Sequence, residues 1–204
     1  MAQELNSTVT NLIQNLASSD DLTRTKARKT LVEIGSPAVP ALIASLGNPH
    51  PMVRWEIVKA LGEIRDPKTA LALVNCLEDD EFDVRWLAAE ALISLDIKGL
   101  RPLLDALIRH SDSVALREGG HHVLHDLAKG ELRKYLAPVL IALEDVESSI
   151  ETPIAAARAL RGLEEFLGHQ SEDPFLRSFT AEQTAGTLRS RLRARKYARS
   201  LRKL

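Results

Sequence analysis

His121, His122, His125 and Asp126 form the densest group of potential metal ligands in a chain of 204 residues. His121 and His125 are four residues apart, a spacing that stacks two imidazoles on one helix face and can chelate a divalent ion. His122 and Asp126 repeat that spacing on a second face. A closed site needs further donors, and only His110, near the adjoining turn, offers one. The expected role of these histidines is therefore packing or a half-exposed surface, and no metal is assigned. Cys76 is the sole cysteine, which excludes an internal disulfide and a zinc site built on several thiolates. It reads as a small, semi-buried thiol. A Gly-x-Ser-x-Gly elbow, a phosphate-binding loop and a supported Cys–His pair are all missing from the sequence. No catalytic residue and no cofactor is assigned.

The remaining chemistry is that of recognition, and it is periodic. Arg24, Arg54, Arg85 and Arg117 follow one another at 30, 31 and 32 residues. Leu31, Leu61, Leu92 and Leu124 keep the same intervals, as do Ile34, Ile64, Leu95 and Leu127. Each copy is preceded by a second apolar pattern: Val9, Leu12, Ile13 and Leu16, then Val39, Leu42, Ile43 and Leu46, then Ala70, Leu73, Val74 and Leu77, then Leu100, Leu103, Leu104 and Leu107. Apolar residues at i, i+3, i+4 and i+7 make one helical face. Gly35-Ser-Pro37 and Asp66-Pro67 supply a cap residue with proline in the first turn. The spacing thus predicts helix–turn–helix units over 3–34, 37–64, 67–95, 98–128 and 132–166. The last is degenerate, since Pro153 stands where the arginine is expected. So short a pair cannot bury its apolar face alone, and the expected fold is an all-α, right-handed α-α superhelix of about five helical pairs.

Val84-Arg-Trp-Leu-Ala-Ala-Glu-Ala-Leu92 resembles HEAT repeats of the phycobilisome-lyase type. The likeness is closer over 20–128 than over 3–17 and 132–166. It implies an α-α superhelix whose second helices line a concave surface. It does not imply one activity, because such repeats occur in scaffolds, bilin lyases and a few enzymes. HEAT-repeat di-iron hydroxylases resembling deoxyhypusine hydroxylase carry His-Glu pairs just after the arginine. Here those positions read Thr25-Lys26, Trp55-Glu56, Trp86-Leu87 and Glu118-Gly119, so the ligands are missing.

Counting from the repeated arginine, positions −1, +3, +6, +7 and +10 share the apolar sector. Positions +1, +2, +5 and +9 lie opposite and are expected to face the groove. Both tryptophans, Trp55 and Trp86, occupy position +1 in adjacent units, which predicts neighbouring rings. With Glu56, Lys59, Glu90, His122 and Asp126 they make the expected partner surface. The arginine column suits repeat-to-repeat ion pairs near Asp20, Asp83 and Asp112 better than an anion track. His121 aligns with Val58 and Ala89, and His125 with Gly62 and Ile93, which places both histidines at packing positions.

Charge is segregated. Residues 177–204 hold nine Arg or Lys against Glu182, a net of +8 in a chain whose formal charge is −1. Residues 167–183 read as a linker, and 184–204 as a basic C-terminal helix or arm. That arm carries Arg189, Arg191, Arg193, Arg195, Lys196, Arg199, Arg202 and Lys203. A cap on the solenoid or a partner-facing arm is preferred there over contact with nucleic acid. Met1-Ala-Gln-Glu-Leu-Asn does not read as a signal peptide, and no apolar run reaches the roughly 20 residues of a membrane span. A cytoplasmic protein is expected. The expected function is a non-catalytic scaffold that binds another protein in its groove. The alternatives are a bilin lyase or phycobilisome-associated tetrapyrrole-handling protein, which the resemblance implies, and a nucleic-acid-binding solenoid or base-excising HEAT-like glycosylase. The oligomeric state is left open.

Overall fold

The computed structural model describes residues 2–170. Ten α-helices follow one another: α1 Ala2–Asn15, α2 Asp21–Ile34, α3 Val39–Ala44, α4 Pro51–Ile64, α5 Ala70–Asn75, α6 Phe82–Ser94, α7 Ile97–Arg109, α8 Val114–Leu127, α9 Arg133–Glu144 and α10 Ser148–Gln170. Short 3-10 turns precede α3, α5 and α9, and another closes α5. No strand occurs among the described residues. The fold is an all-α solenoid of paired helices. α10 continues to Gln170, four residues into the stretch read as a linker. The rest of that stretch and the basic arm from Arg189 to Lys203 lie outside the described residues.

Local chemistry starts and stops these helices. The Asp20 carboxylate accepts the Thr23 N–H at 2.9 Å and so caps α2. Ser113 does the same for α8 through Leu116 N–H, at 3.2 Å. Asp66 accepts the Lys68 N–H ahead of α5, with Pro67 in the first turn. α2 ends at Gly35, whose φ of 71° lies in the left-handed region that a glycine enters without a Cβ clash. α4 ends at Arg65 with φ 55°, a costlier stop for a residue with a side chain.

The chain forms two compact units. One comprises Met1–Leu103 with Glu118–Val123; the other comprises Leu104–Arg117 and the described residues from Leu124 onward. In the first, α1 packs on α2, α2 on α4, and α4 on α6. The leucines Leu31, Leu61 and Leu92 of the repeated column are fully buried, with Leu16, Leu42, Ile57, Leu73 and Leu77 around them. Each contributes roughly 1.5–3 kcal/mol through burial. Gly62 lets α4 and α6 approach: a Cβ there would stand 2.8 Å from the Ala91 Cβ and 3.3 Å from its Cα. The Ser94 hydroxyl, which lies 2.7 Å from the Ala91 carbonyl of its own helix, also reaches the Gly62 carbonyl at 3.2 Å.

In the second unit α9 packs on α10 around Leu136, Val139, Ala156, Ala159 and Leu163. Pro153 sits inside α10. Lacking an N–H, it leaves the Ser149 carbonyl without its helical donor, and the Ser111 hydroxyl donates to that oxygen at 2.7 Å. The arginine missing from the fifth copy therefore coincides with a helix satisfied in another way.

Candidate functional site

The arginine column does one job in each of the four copies that carry it. A guanidinium nitrogen donates to the carbonyls six and five residues upstream: Arg24 to Ser18 and Ser19, Arg54 to Asn48 and Pro49, Arg85 to Asp79 and Asp80. Arg117 donates to Ser111 in the same way. These carbonyls belong to the turn between the paired helices and have no helical donor of their own. Five donors in a fixed fork suit the arginine to satisfying them. The column is structural, as its constancy implies.

Its carboxylate partners differ from those expected. Asp20 is taken up by Thr23, and in place of Asp83 the bidentate partner is Asp79, which binds Arg54 at 2.7 and 2.8 Å. The Asp79 carboxyl is pulled two ways. Burial raises its pKa, but the Arg54 hydrogen bonds, the Glu81 N–H and the Arg54 and Arg85 charges outweigh burial and hold it below the usual range. The hydrogen bond to Asp79 raises the Arg54 pKa in return.

Glu56 requires a correction. It was expected on the groove, yet it is 3% exposed. Position +2 turns into the seam between α2 and α4, where Arg28 binds Glu56 at 2.8 Å and Arg24 stands at 3.6 Å. Arg28 also reaches Glu63 at 2.6 Å. Position +2 is tight in the fourth copy too, because a Cβ on Gly119 would stand 2.9 Å from Leu77 Cδ2. A buried carboxylate held by two arginines is not free to meet a partner.

The outward sector is carried by positions +1 and +5. Trp86 on α6 is 49% exposed, and its indole lies 4.4 Å from the imidazole of His122 on α8, centroid to centroid. The Glu90 carboxylate holds that imidazole at 2.8 Å through Nε2. An ionised carboxylate only accepts, so Nε2 carries the proton. Phe82, 64% exposed, stacks beside Trp86 at 6.5 Å. Three of the seven expected surface residues, Trp86, Glu90 and His122, thus meet through His122. Phe82 joins them although the repeat arithmetic passed over it, because its position, three before the arginine, carries Asp21, Pro51 and Val114 in the other copies. A ring one helical turn before Trp86 was the available signal.

The other expected surface residues are differently placed. Trp55 is half-buried, with the Lys59 ammonium 5.0 Å from its ring centroid. The ring neighbours of Trp86 are Phe82 and His122, so the stacked array is built around one of the two tryptophans. Asp126 belongs to the second unit and pairs with Lys129 at 3.1 Å. His121 is half-buried and His125 exposed, and no group of three or more metal-type side chains assembles among the described residues. Cys76 is buried, and desolvation, with the Asp79 charge, pushes its thiol up to about 12, which keeps it protonated at neutral pH.

With the helical pairs and their arginine locks in view, the comparison with protein families adds that the model of HEAT repeats matches residues 9–93. The helical pairs within residues 9–93 match HEAT repeats. A protein named bilin biosynthesis protein RpcF, from Synechococcus sp. (strain WH8020), is 36% identical over 87 residues. That match covers 42% of this chain and 42% of the relative, so the chain spans less than half the length of the curated relative it matches. The HEAT match takes in Arg54, Arg85, the buried Glu56 and both tryptophans; His122 lies beyond its last residue. No helix of the described residues is long and apolar enough to cross a membrane.

Proposed function

We propose that the chain is a non-catalytic HEAT-repeat scaffold that docks a partner protein on the outward face of its second helices, centred on Trp86. The observation that carries this reading is the contiguous aromatic array of Phe82, Trp86 and His122, with two of its rings about half to two-thirds in water. Single exposed apolar residues are ordinary, whereas adjoining exposed rings mark interaction sites, and aromatic anchors dominate interface energies. The arginine locks behind the array fix α6 and keep the surface preorganised. The test is affinity capture from the native cell extract with the full chain and its Trp86→Ala and Phe82→Ala variants. Proteins retained by the parent chain should fall at least tenfold with either variant while helical circular dichroism is unchanged. Equal retention by all three would refute the reading.

A second reading rests on the relative named for bilin biosynthesis. An exposed indole beside an imidazole also offers a flat, polarisable ledge to a linear tetrapyrrole. Biliverdin titrated into the full chain should then show a visible absorption shift that Trp86→Ala abolishes. An unchanged spectrum would dismiss bilin handling at this ledge.

A further inference from the structure

The aromatic array sits in an acidic frame. Residues 78–90 contain six carboxylates, Glu78, Asp79, Asp80, Glu81, Asp83 and Glu90, against one arginine, Arg85. Asp79 is consumed by Arg54, and Glu90 is engaged by His122. Glu78, Asp80, Glu81 and Asp83 remain exposed on the turn and first residues of α6 that also present Phe82. The face of an aromatic ring attracts cations through its quadrupole, and nearby carboxylates add to that field. The molecule already shows this preference: the Arg85 guanidinium lies 5.7 Å from the Phe82 centroid. Arg85 does not cover Trp86 as well, because its guanidinium is held through Nη1 on the Asp79 and Asp80 carbonyls. A docked neutral or acidic segment would desolvate four carboxylates without compensation, whereas a cationic one would pair with them.

We infer that the Phe82–Trp86–His122 surface, framed by Glu78, Asp80, Glu81 and Asp83, takes an arginine- or lysine-bearing segment of a partner protein, with one cationic side chain laid over the Trp86 indole. This rests on the docking reading above and names the chemistry of its partner. Guanidinium is favoured over ammonium because it is planar, less strongly hydrated and able to bond a carboxylate bidentately while stacked. The frame also predicts strong salt dependence, since its charges are solvent-exposed.

The test uses the full chain in a Trp55→Phe background, so that Trp86 is the sole indole. Two synthetic peptides serve as probes: acetyl-Gly-Arg-Gly-Arg-Gly-Arg-amide and the same peptide with citrulline in place of arginine. Titration at low salt should shift or quench Trp86 emission with the arginine peptide. The citrulline peptide should bind at least tenfold more weakly, and the arginine peptide should lose at least fivefold between 20 and 200 mM salt. The Asp80→Asn/Glu81→Gln/Asp83→Asn variant should weaken the arginine peptide at least fivefold. For Trp86→Ala, calorimetric titration with the arginine peptide should show at least a tenfold loss. Equal binding of both peptides, or arginine binding indifferent to Trp86→Ala, overturns the inference. So does a dimer of the full chain that Trp86→Ala dissociates, because the occupant is then a second copy. If Trp86→Ala abolishes protein capture while neither peptide binds, cationic recognition fails and the docking reading stands. If the arginine peptide binds as described but capture does not depend on Trp86, the docking reading fails in its turn.

Discussion

At the scale of single residues, Arg54 shows why one side chain type recurs at one position. Its guanidinium meets both oxygens of Asp79 and the carbonyls of Asn48 and Pro49, so it closes its own turn and ties it to the next. Asp79 holds a lowered pKa in the fold, so its contribution is fully present above the unfolded carboxylate value, about 3.9, and is lost as pH falls through that value to the folded one. Denaturant midpoints of the parent and Asp79→Asn chains should therefore differ at pH 7 and converge as pH drops below about 4. A gap that stays constant down to pH 3 would show that ionisation of Asp79 does not support the fold. Glu56 poses a sharper case, because Glu56→Ala leaves Arg24 and Arg28 facing a buried seam. Breaking a buried pair by removing one partner costs about 3–5 kcal/mol, and the part-exposure of both arginines moves the expectation to the lower end. Urea unfolding checks it. Trp86→Ala, by contrast, should cost under about 1 kcal/mol, since half of the ring is already in water.

At the scale of elements, the contact between α4 and α6 is set by Gly62. A methyl group there meets the Ala91 side chain and backbone, and backbone cannot move aside as a flexible side chain can. Gly62→Ala should lower stability by about 1–3 kcal/mol despite the better helix propensity of alanine. A midpoint equal to or above that of the parent chain would mean that the two helices separate freely. The same closeness brings the Ser94 hydroxyl to the Gly62 carbonyl, so Ser94→Ala should act in the same direction but more weakly, by about 1 kcal/mol.

At the scale of the whole molecule, a repeat fold gains stability from each unit and from each seam between neighbours. Deleting residues 2–34 removes α1 and α2 and with them Arg24 and Arg28, leaving Glu56 exposed at a new end. The shortened chain should unfold at a lower temperature and aggregate more readily, yet keep the helical circular dichroism per residue of the parent. Complete loss of helical signal on that deletion would show that the remaining units cannot stand without the first.

Period, helix pairing and the buried columns were legible in the sequence because they are local and repeated. An apolar residue every three or four positions, a cap before proline, and leucines at near-constant intervals of 30 to 32 residues each follow from the geometry of one helix. The arginine column was legible for the same reason, its partners less so, because the bidentate carboxylate lies 25 residues away in the next turn. Helical periodicity alone assigned position +2 to the outward sector. Only the packing of α2 on α4 turned Glu56 inward, since the edge of a helical face becomes seam or surface according to the neighbour that meets it. The array of Phe82, Trp86, Glu90 and His122 is likewise a product of tertiary structure. The period placed Trp86, Glu90 and His122 on one surface, but it did not say that they touch, and it relates Phe82 to none of them.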